Sequence, residues 1–227
     1  APLAPDFVSR AEAIRFPTRP GADGTPREAH AFFHPPCNPD RSGPQDTKPP
    51  LLVLVHGGPT AHAAPALSPS HQFWTTRGFA IVNVNYGGSS GFGRDYRNRL
   101  LGEWGVVDLA DAVAAVDYLV AQGRVDGARV AIRGGSAGGF TVLAGLAFTR
   151  RFAAGINYFG VADLESLFSD TDSGICMFPG RWRDDGFTFG SIIAELDEQV
   201  RVRMAGGPPD RSPYMDVDFV GNETTAT

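Results

Sequence analysis

The chain opens with two short alternating stretches, Glu12 to Pro17 and Glu28 to His34, separated by the turn-rich segment TRPGADGT. Apolar and polar positions alternating at period two, interrupted by Gly and Pro, predict an antiparallel hairpin at a sheet edge. Residues 35 to 50, PPCNPDRSGPQDTKPP, hold six prolines and predict an exposed linker. The pattern then becomes a repeat of strand and helix. Leu51 to Val55 (LLVLV) and Phe79 to Asn85 (FAIVNVN) are the predominantly apolar runs that a parallel strand covered on both faces requires. Between them, Ser70 to Arg77 predicts a short helix ending at Gly78.

The strongest amphipathic segment runs from Val106 to Ala121 and stops at Gly123. Its predicted buried stripe is Val106, Leu109, Ala110, Val113, Val116 and Val120, with Asp108 and Asp111 placed near the positive end of the helix dipole. A strand at Ala128 to Ile132, a helix at Thr141 to Thr149 and a strand at Ala153 to Tyr158 follow. Strands alternating with helices predict an α/β fold with a mostly parallel sheet, right-handed crossovers and helices on both faces. After Thr171 the periodicity fades, although Ile192 to Val202 is compatible with one short helix. The expected organisation is therefore edge strands at 1–34, a linker at 35–50, an α/β core at 51–171 and a divergent tail at 172–227.

Composition narrows the function classes. The formal charge is −5 with the acidic residues dispersed, and no Lys/Arg cluster marks a nucleic-acid or anionic-membrane surface. The longest uninterrupted aliphatic run is Leu51 to Val55, too short for a bilayer span. The N-terminal stretch APLAPDFVSRAEAIRFP shows no basic region followed by an apolar run, so no secretory leader is read there. Cys37 and Cys176 form neither a disulfide framework nor a zinc spacing, which fits a cytoplasmic protein, and no metal or cofactor motif is present.

Catalytic chemistry enters at Gly134-Gly135-Ser136-Ala137-Gly138, a Gly-x-Ser-x-Gly sequence with a strand before it and a helix after it. In that context it predicts a nucleophile elbow: a sharp turn exposes the Ser136 hydroxyl, and the glycines admit the close backbone approach. The strand Leu51 to Val55 runs straight into His56-Gly57-Gly58-Pro59. A glycine loop after that strand, with the residue following the nucleophile, makes the N–H groups of Gly58 and Ala137 the candidate oxyanion donors. Tyr86, in the Gly-rich turn after the second core strand, is a candidate substrate contact. Arg94 and Arg97 are expected in solvent, and Trp104 beneath the following helix.

The blocks LLVLVHGGPT, FWTTRGFAIVNVNYGGSSGFGRDYRNRLLGEWGVVDLADAVAAVDYLV, VAIRGGSAGGFTVLAGLAF and FAAGINYFGVADLESL strongly resemble, in sequence and order, the prolyl oligopeptidase family of serine peptidases. The likeness covers residues 12 to 171 and is nearest to the acylaminoacyl-peptidase-like, dipeptidyl-peptidase-related branch. It implies an α/β-hydrolase fold and hydrolysis of short or acylated peptides through an acyl-enzyme on Ser136, with the oxyanion site at HGGP. The family usually places a β-propeller before this domain, and no propeller repeat occurs in the chain. An esterase on the same fold is the neighbouring alternative, since the elbow does not distinguish ester from amide.

One departure bears on activity. In this architecture the acid and base follow the nucleophile along the chain, yet the five histidines are His30, His34, His56, His62 and His71, all before Ser136. Asp216 and Asp218 stand at a plausible spacing for the acid, but MDVDFV lacks the expected Gly-rich turn. The reading is thus an α/β-hydrolase lacking its last strands, impaired as a catalyst, and open to self-association through a bare sheet edge. A non-catalytic, truncated or frame-altered product is the alternative from another class.

Overall fold

A computed structural model describes residues 3–162 and the short strands at 202–204 and 217–219. Strands β1 (Glu12–Thr18) and β2 (Arg27–His34) form the antiparallel hairpin, with Glu12 opposite Phe33 and Thr18 opposite Arg27. The parallel part contains β3 (Leu51–Val55), β4 (Ala80–Asn85), β5 (Val130–Gly135) and β6 (Ala154–Tyr158). The order across the sheet is β1-β2-β4-β3-β5-β6, with β2 antiparallel to β4 and the remaining core pairs parallel. Strand β3 is therefore central, and its hydrophobic run is buried from both sides.

Alternation along the strands separates two cores. On one face Phe16, Phe33, Val53, Val82, Val84, Val130 and Ile132 pack with Ala112, Ala115, Val116 and Leu119 of helix α3 (Val107–Ala121) and Val142 of helix α4 (Ala137–Phe148). On the other face Leu52 and Ile81, which stand opposite each other in the β3–β4 register, are buried near helix α1 (Pro69–Thr75). Ser68 caps α1, its hydroxyl accepting the His71 N–H at 3.4 Å. A short helix α2 (Arg94–Asn98) leaves Arg94 and Arg97 exposed, and residues 35–50 carry neither helix nor strand.

Three predicted elements shift. The buried face of α3 is Asp108, Asp111, Ala112, Ala115, Val116 and Leu119, so the helix is rotated from the predicted stripe. Of that stripe only Val116 is fully buried; Leu109, Val113 and Val120 flank the core. Hydrophobicity alone missed this because two carboxylates on the inner face are satisfied by hydrogen bonds rather than by solvent. Strand β5 runs to Gly135 rather than Ile132, and α4 begins at Ala137 rather than Thr141. The glycines that conceal this boundary in a propensity reading are the residues that permit it.

Trp104, expected beneath α3, packs at 5.5 Å on Phe140 of α4. Of the segment predicted as helix from Ile192, only Val202 is described, and it opens β7 (Val202–Met204), paired antiparallel with β8 (Val217–Phe219). Asp216 lies outside the described residues. No helix among the described residues is long and apolar enough to cross a membrane.

Candidate active site

Ser136 sits alone between β5 and α4 with φ 53° and ψ −122°, a conformation that a non-glycine residue rarely adopts. Its neighbours determine it. The Ser136 N–H donates to Tyr158 O at 2.9 Å, while its carbonyl accepts Gly139 N–H at 2.9 Å and Phe140 and Val161 N–H at 3.3 Å. Ser136 is exposed although Ala137 to Phe140 are buried, and its Oγ makes no hydrogen bond among the described residues. A side chain on Gly134 would fall on the backbone of Gly138, and one on Gly138 would fall on the carbonyls of Val55 and His56. The two glycines of the motif thus let the elbow close on itself and seat it against the end of β3.

The HGGP loop adjoins it. A Cβ on Gly57 would stand 3.0 Å from Gly135 O and 3.3 Å from Ser136 Cβ. Around the nucleophile lie Ala137 at the first position of α4, whose free N–H groups and dipole favour negative charge, and the backbone of Gly57, with Gly58 the next residue along the loop. This arrangement suits an oxyanion more than a cation.

Side chains from the turn after β4 hold the loop. Tyr86 was expected to touch substrate; it is 1% exposed instead, its hydroxyl donating to Pro59 O at 2.6 Å and also reaching His56 O at 3.2 Å. Burial raises its pKa well above the usual tyrosine value and keeps the hydroxyl a donor. A residue that occupies its hydroxyl on the loop and hides its ring cannot meet a ligand, so Tyr86 is a strut. The His56 ring stacks on it at 4.4 Å. His56 Nδ1 faces Gly57 O at 2.9 Å and Nε2 faces Ser89 Oγ at 2.7 Å. With Nδ1 donating to the carbonyl, Nε2 accepts from Ser89, and burial lowers the His56 pKa. Ser90 adds an N–H to Ala61 O at 3.0 Å and a hydroxyl to Thr60 O at 2.5 Å.

None of the other upstream histidines reaches the nucleophile as a hydrogen-bond partner. His30 stacks on Phe92 at 4.4 Å, His34 and His71 meet edge to face at 4.9 Å, and His62 is exposed. Sequence reasoning missed Ser89, Asp108, Asp111 and Thr141. The available signal is a pair of aspartates spaced i, i+3 in the first turns of a mostly apolar helix, a placement that the helix dipole also explains.

A parallel sheet with crossover helices, a serine at a strained strand-to-helix turn and a glycine loop after the central strand define an α/β-hydrolase. The chain belongs to the prolyl oligopeptidase family, whose profile matches residues 65–189. It is 40% identical over 131 residues to dipeptidyl aminopeptidase BIII of Pseudoxanthomonas mexicana, a match covering 57% of this chain and 19% of that protein. To the acylamino-acid-releasing enzyme of Sus scrofa it is 38% identical over 99 residues, covering 44% of this chain and 14% of that enzyme. Among solved structures, a Mycobacterium tuberculosis puromycin-hydrolyzing peptidase aligns with TM-score 0.68 and 46% identity, over 73% of this chain and 25% of its own. The chain thus spans about a fifth or less of the length of these curated relatives.

Proposed function

We propose that this chain carries the nucleophile and oxyanion half of a serine peptidase site for short or acylated peptides. Ser136 Oγ attacks the scissile carbonyl, and the N–H groups of Gly58 and Ala137 receive the developing oxyanion. The observation that carries this reading is Ser136 itself, exposed at φ 53° on a turn whose backbone is otherwise buried, with Gly57 against it. Similarity to a dipeptidyl aminopeptidase, acylamino-acid-releasing enzymes and a puromycin-hydrolyzing peptidase supports a peptide-like substrate over a simple ester.

None of the five histidines hydrogen-bonds Ser136: His56 is occupied on both ring nitrogens, His30, His34 and His71 pack against other aromatic rings, and His62 is exposed. Loss of a triad histidine costs about 10⁶ in rate and leaves roughly 10³ to 10⁴ over water from the oxyanion hole and binding. The 227-residue chain is therefore expected to show near-background turnover of p-nitrophenyl esters and peptide anilides. Robust turnover abolished by Ser136→Ala would contradict this and locate a base within the chain. The same reading keeps the chain in the cytoplasm, a reducing compartment suited to the free Cys37 thiol; fractionation of cells expressing it tests this.

A further inference from the structure

Helix α3 contributes no atom to the site as described, yet it carries two fully buried carboxylates one turn apart, each tied to a different wall of that site. Asp108, 0% exposed, accepts the Gly105 N–H at 2.6 Å and the Thr141 hydroxyl at 2.5 Å. Thr141 lies on α4 one turn beyond Ala137, and its hydroxyl also lies 3.4 Å from the Ala137 carbonyl. Gly105 packs against the ring of Phe140, the residue whose N–H bonds the Ser136 carbonyl. Asp111, 2% exposed, accepts the Gly87 N–H at 2.7 Å and the hydroxyl of Thr18 on β1. Gly87 directly follows Tyr86, the strut of the HGGP loop, and two residues on is Ser89, which holds His56.

Burying two carboxylates on the core face of a helix is costly unless each has dedicated donors. Alanine or leucine would fill the same face of α3 without that cost. Both donors of Asp108 lead to the elbow and the Gly87 donor of Asp111 leads to the turn that holds the oxyanion loop, while Thr18 anchors Asp111 to β1. An i, i+3 pair on a helix is a rigid spacer, so one turn of α3 sets the separation of the two loops.

We propose that Asp108 and Asp111 are positioning residues for the oxyanion site, with Asp108 aligning the first turn of α4 through Thr141 and Asp111 aligning the HGGP loop through the 86–90 turn. The inference rests on the peptidase reading for its functional meaning. It does not depend on negative charge. In an asparagine at 108, the amide oxygen can accept from Gly105 and the amide NH₂ can donate to Thr141, whose hydroxyl then turns toward Ala137 O.

The test uses the whole chain and a peptidyl boronic acid with a phenylalanine-like side chain, which becomes tetrahedral on a serine hydroxyl and places an oxygen in the oxyanion site. Affinity is expected to fall at least about tenfold in Asp108→Ala, Thr141→Val and Asp111→Ala, and to stay within about threefold of wild type in Asp108→Asn. Val116→Ala, a truncation on the same buried face of α3 that severs neither tie, is expected to lower the unfolding midpoint while leaving affinity within about twofold. Equal affinity losses in Val116→Ala and Asp108→Ala would overturn the proposal, since the aspartates would then matter only through stability.

Amide hydrogen exchange of the free protein supplies the second readout. Asp108→Ala or Thr141→Val should accelerate Gly139 and Phe140 selectively, and Asp111→Ala should accelerate Ser89 and Ser90 selectively. Uniform acceleration, or none, would refute the positioning role. If wild type fails to bind the boronate, or Ser136→Ala binds it equally well, the peptidase reading falls. The exchange pattern still decides whether α3 sets the two loops.

Discussion

The two loops that converge on the site are held by different means. The elbow, residues 134–139, is shaped by backbone packed against backbone: Gly134 against Gly138, Gly138 against the ends of β3, and the Ser136 carbonyl shared among three N–H groups. The HGGP loop is shaped by side chains reaching in from elsewhere, namely the Tyr86 hydroxyl, the His56–Ser89 pair and Ser90. The first device fails when any atom is added. The second fails by degrees as individual hydrogen bonds are removed, which makes the loop that presents Gly58 the more adjustable half of the site.

The largest effect expected from this difference is at Gly138. Its Cβ would land on the Val55 carbonyl and 2.9 Å from that of His56, so Gly138→Ala must displace the elbow from the sheet. A loss of at least about 3 kcal/mol in denaturant unfolding is expected, in the range of severe backbone and overpacking defects. Tyr86→Phe removes only the hydroxyl and orphans the Pro59 carbonyl, so a loss of about 1–2 kcal/mol is expected with the elbow unchanged. Equal losses at the two positions would erase the distinction between the loops.

Smaller effects appear as pH dependence. Burial, with His34 and Arg133 adding to it, lowers His71 to about 4, so the folded state holds it neutral. A depressed base contributes stability above the unfolded value near 6.5 that is lost as pH falls toward about 4. His71→Gln should therefore flatten the acid side of the melting-temperature profile; an unchanged slope would show that the pair on α1 and β2 does not titrate with folding. Asp108 acts in the opposite direction. Burial raises it to about 6 against the pull of Thr141 and Gly105, so its contribution is full below about pH 4 and declines as pH rises through about 6. Asp108→Asn should remove that decline without moving the His71 component.

The contrast between the loops also explains what could be read from the chain. The elbow was legible because its determinants are local: a strand, two glycines around a serine, and a helix, all within 22 residues from Ala128 to Thr149. The hairpin and the succession of core strands and helices along the chain were legible for the same reason. What stayed hidden was long-range. Tyr86 lies 27 residues from Pro59 in sequence, and Thr141 lies 33 from Asp108, so periodicity offered no reason to join them. An apolar-stripe reading of α3 points away from Asp108 and Asp111, because it assigns carboxylates to solvent unless their donors are known.

One edge of the sheet connects the fold to behaviour in solution. Among the described residues β6 has β5 as its hydrogen-bonded neighbour, β8 contacts β6 without pairing to it, and Tyr158 and Phe159 at the end of β6 are 42% and 62% exposed. A strand edge with no hydrogen-bonded partner among the described residues, beside exposed aromatic side chains, favours edge-to-edge pairing. The chain is expected to self-associate in sedimentation at micromolar concentration, and a soluble monomer with a sharp unfolding transition would count against an open edge.

The most direct test of the central claim, that Ser136, Gly58 and Ala137 form one nucleophile and oxyanion unit, is ¹⁵N–¹H spectroscopy of the chain titrated with a peptidyl boronic acid. The Gly58 and Ala137 amide protons are expected to move downfield together as a tetrahedral ¹¹B signal grows, and neither is expected to move in Ser136→Ala. A boronate that binds without shifting both amides, or that shifts them equally when the serine is absent, would contradict the claim.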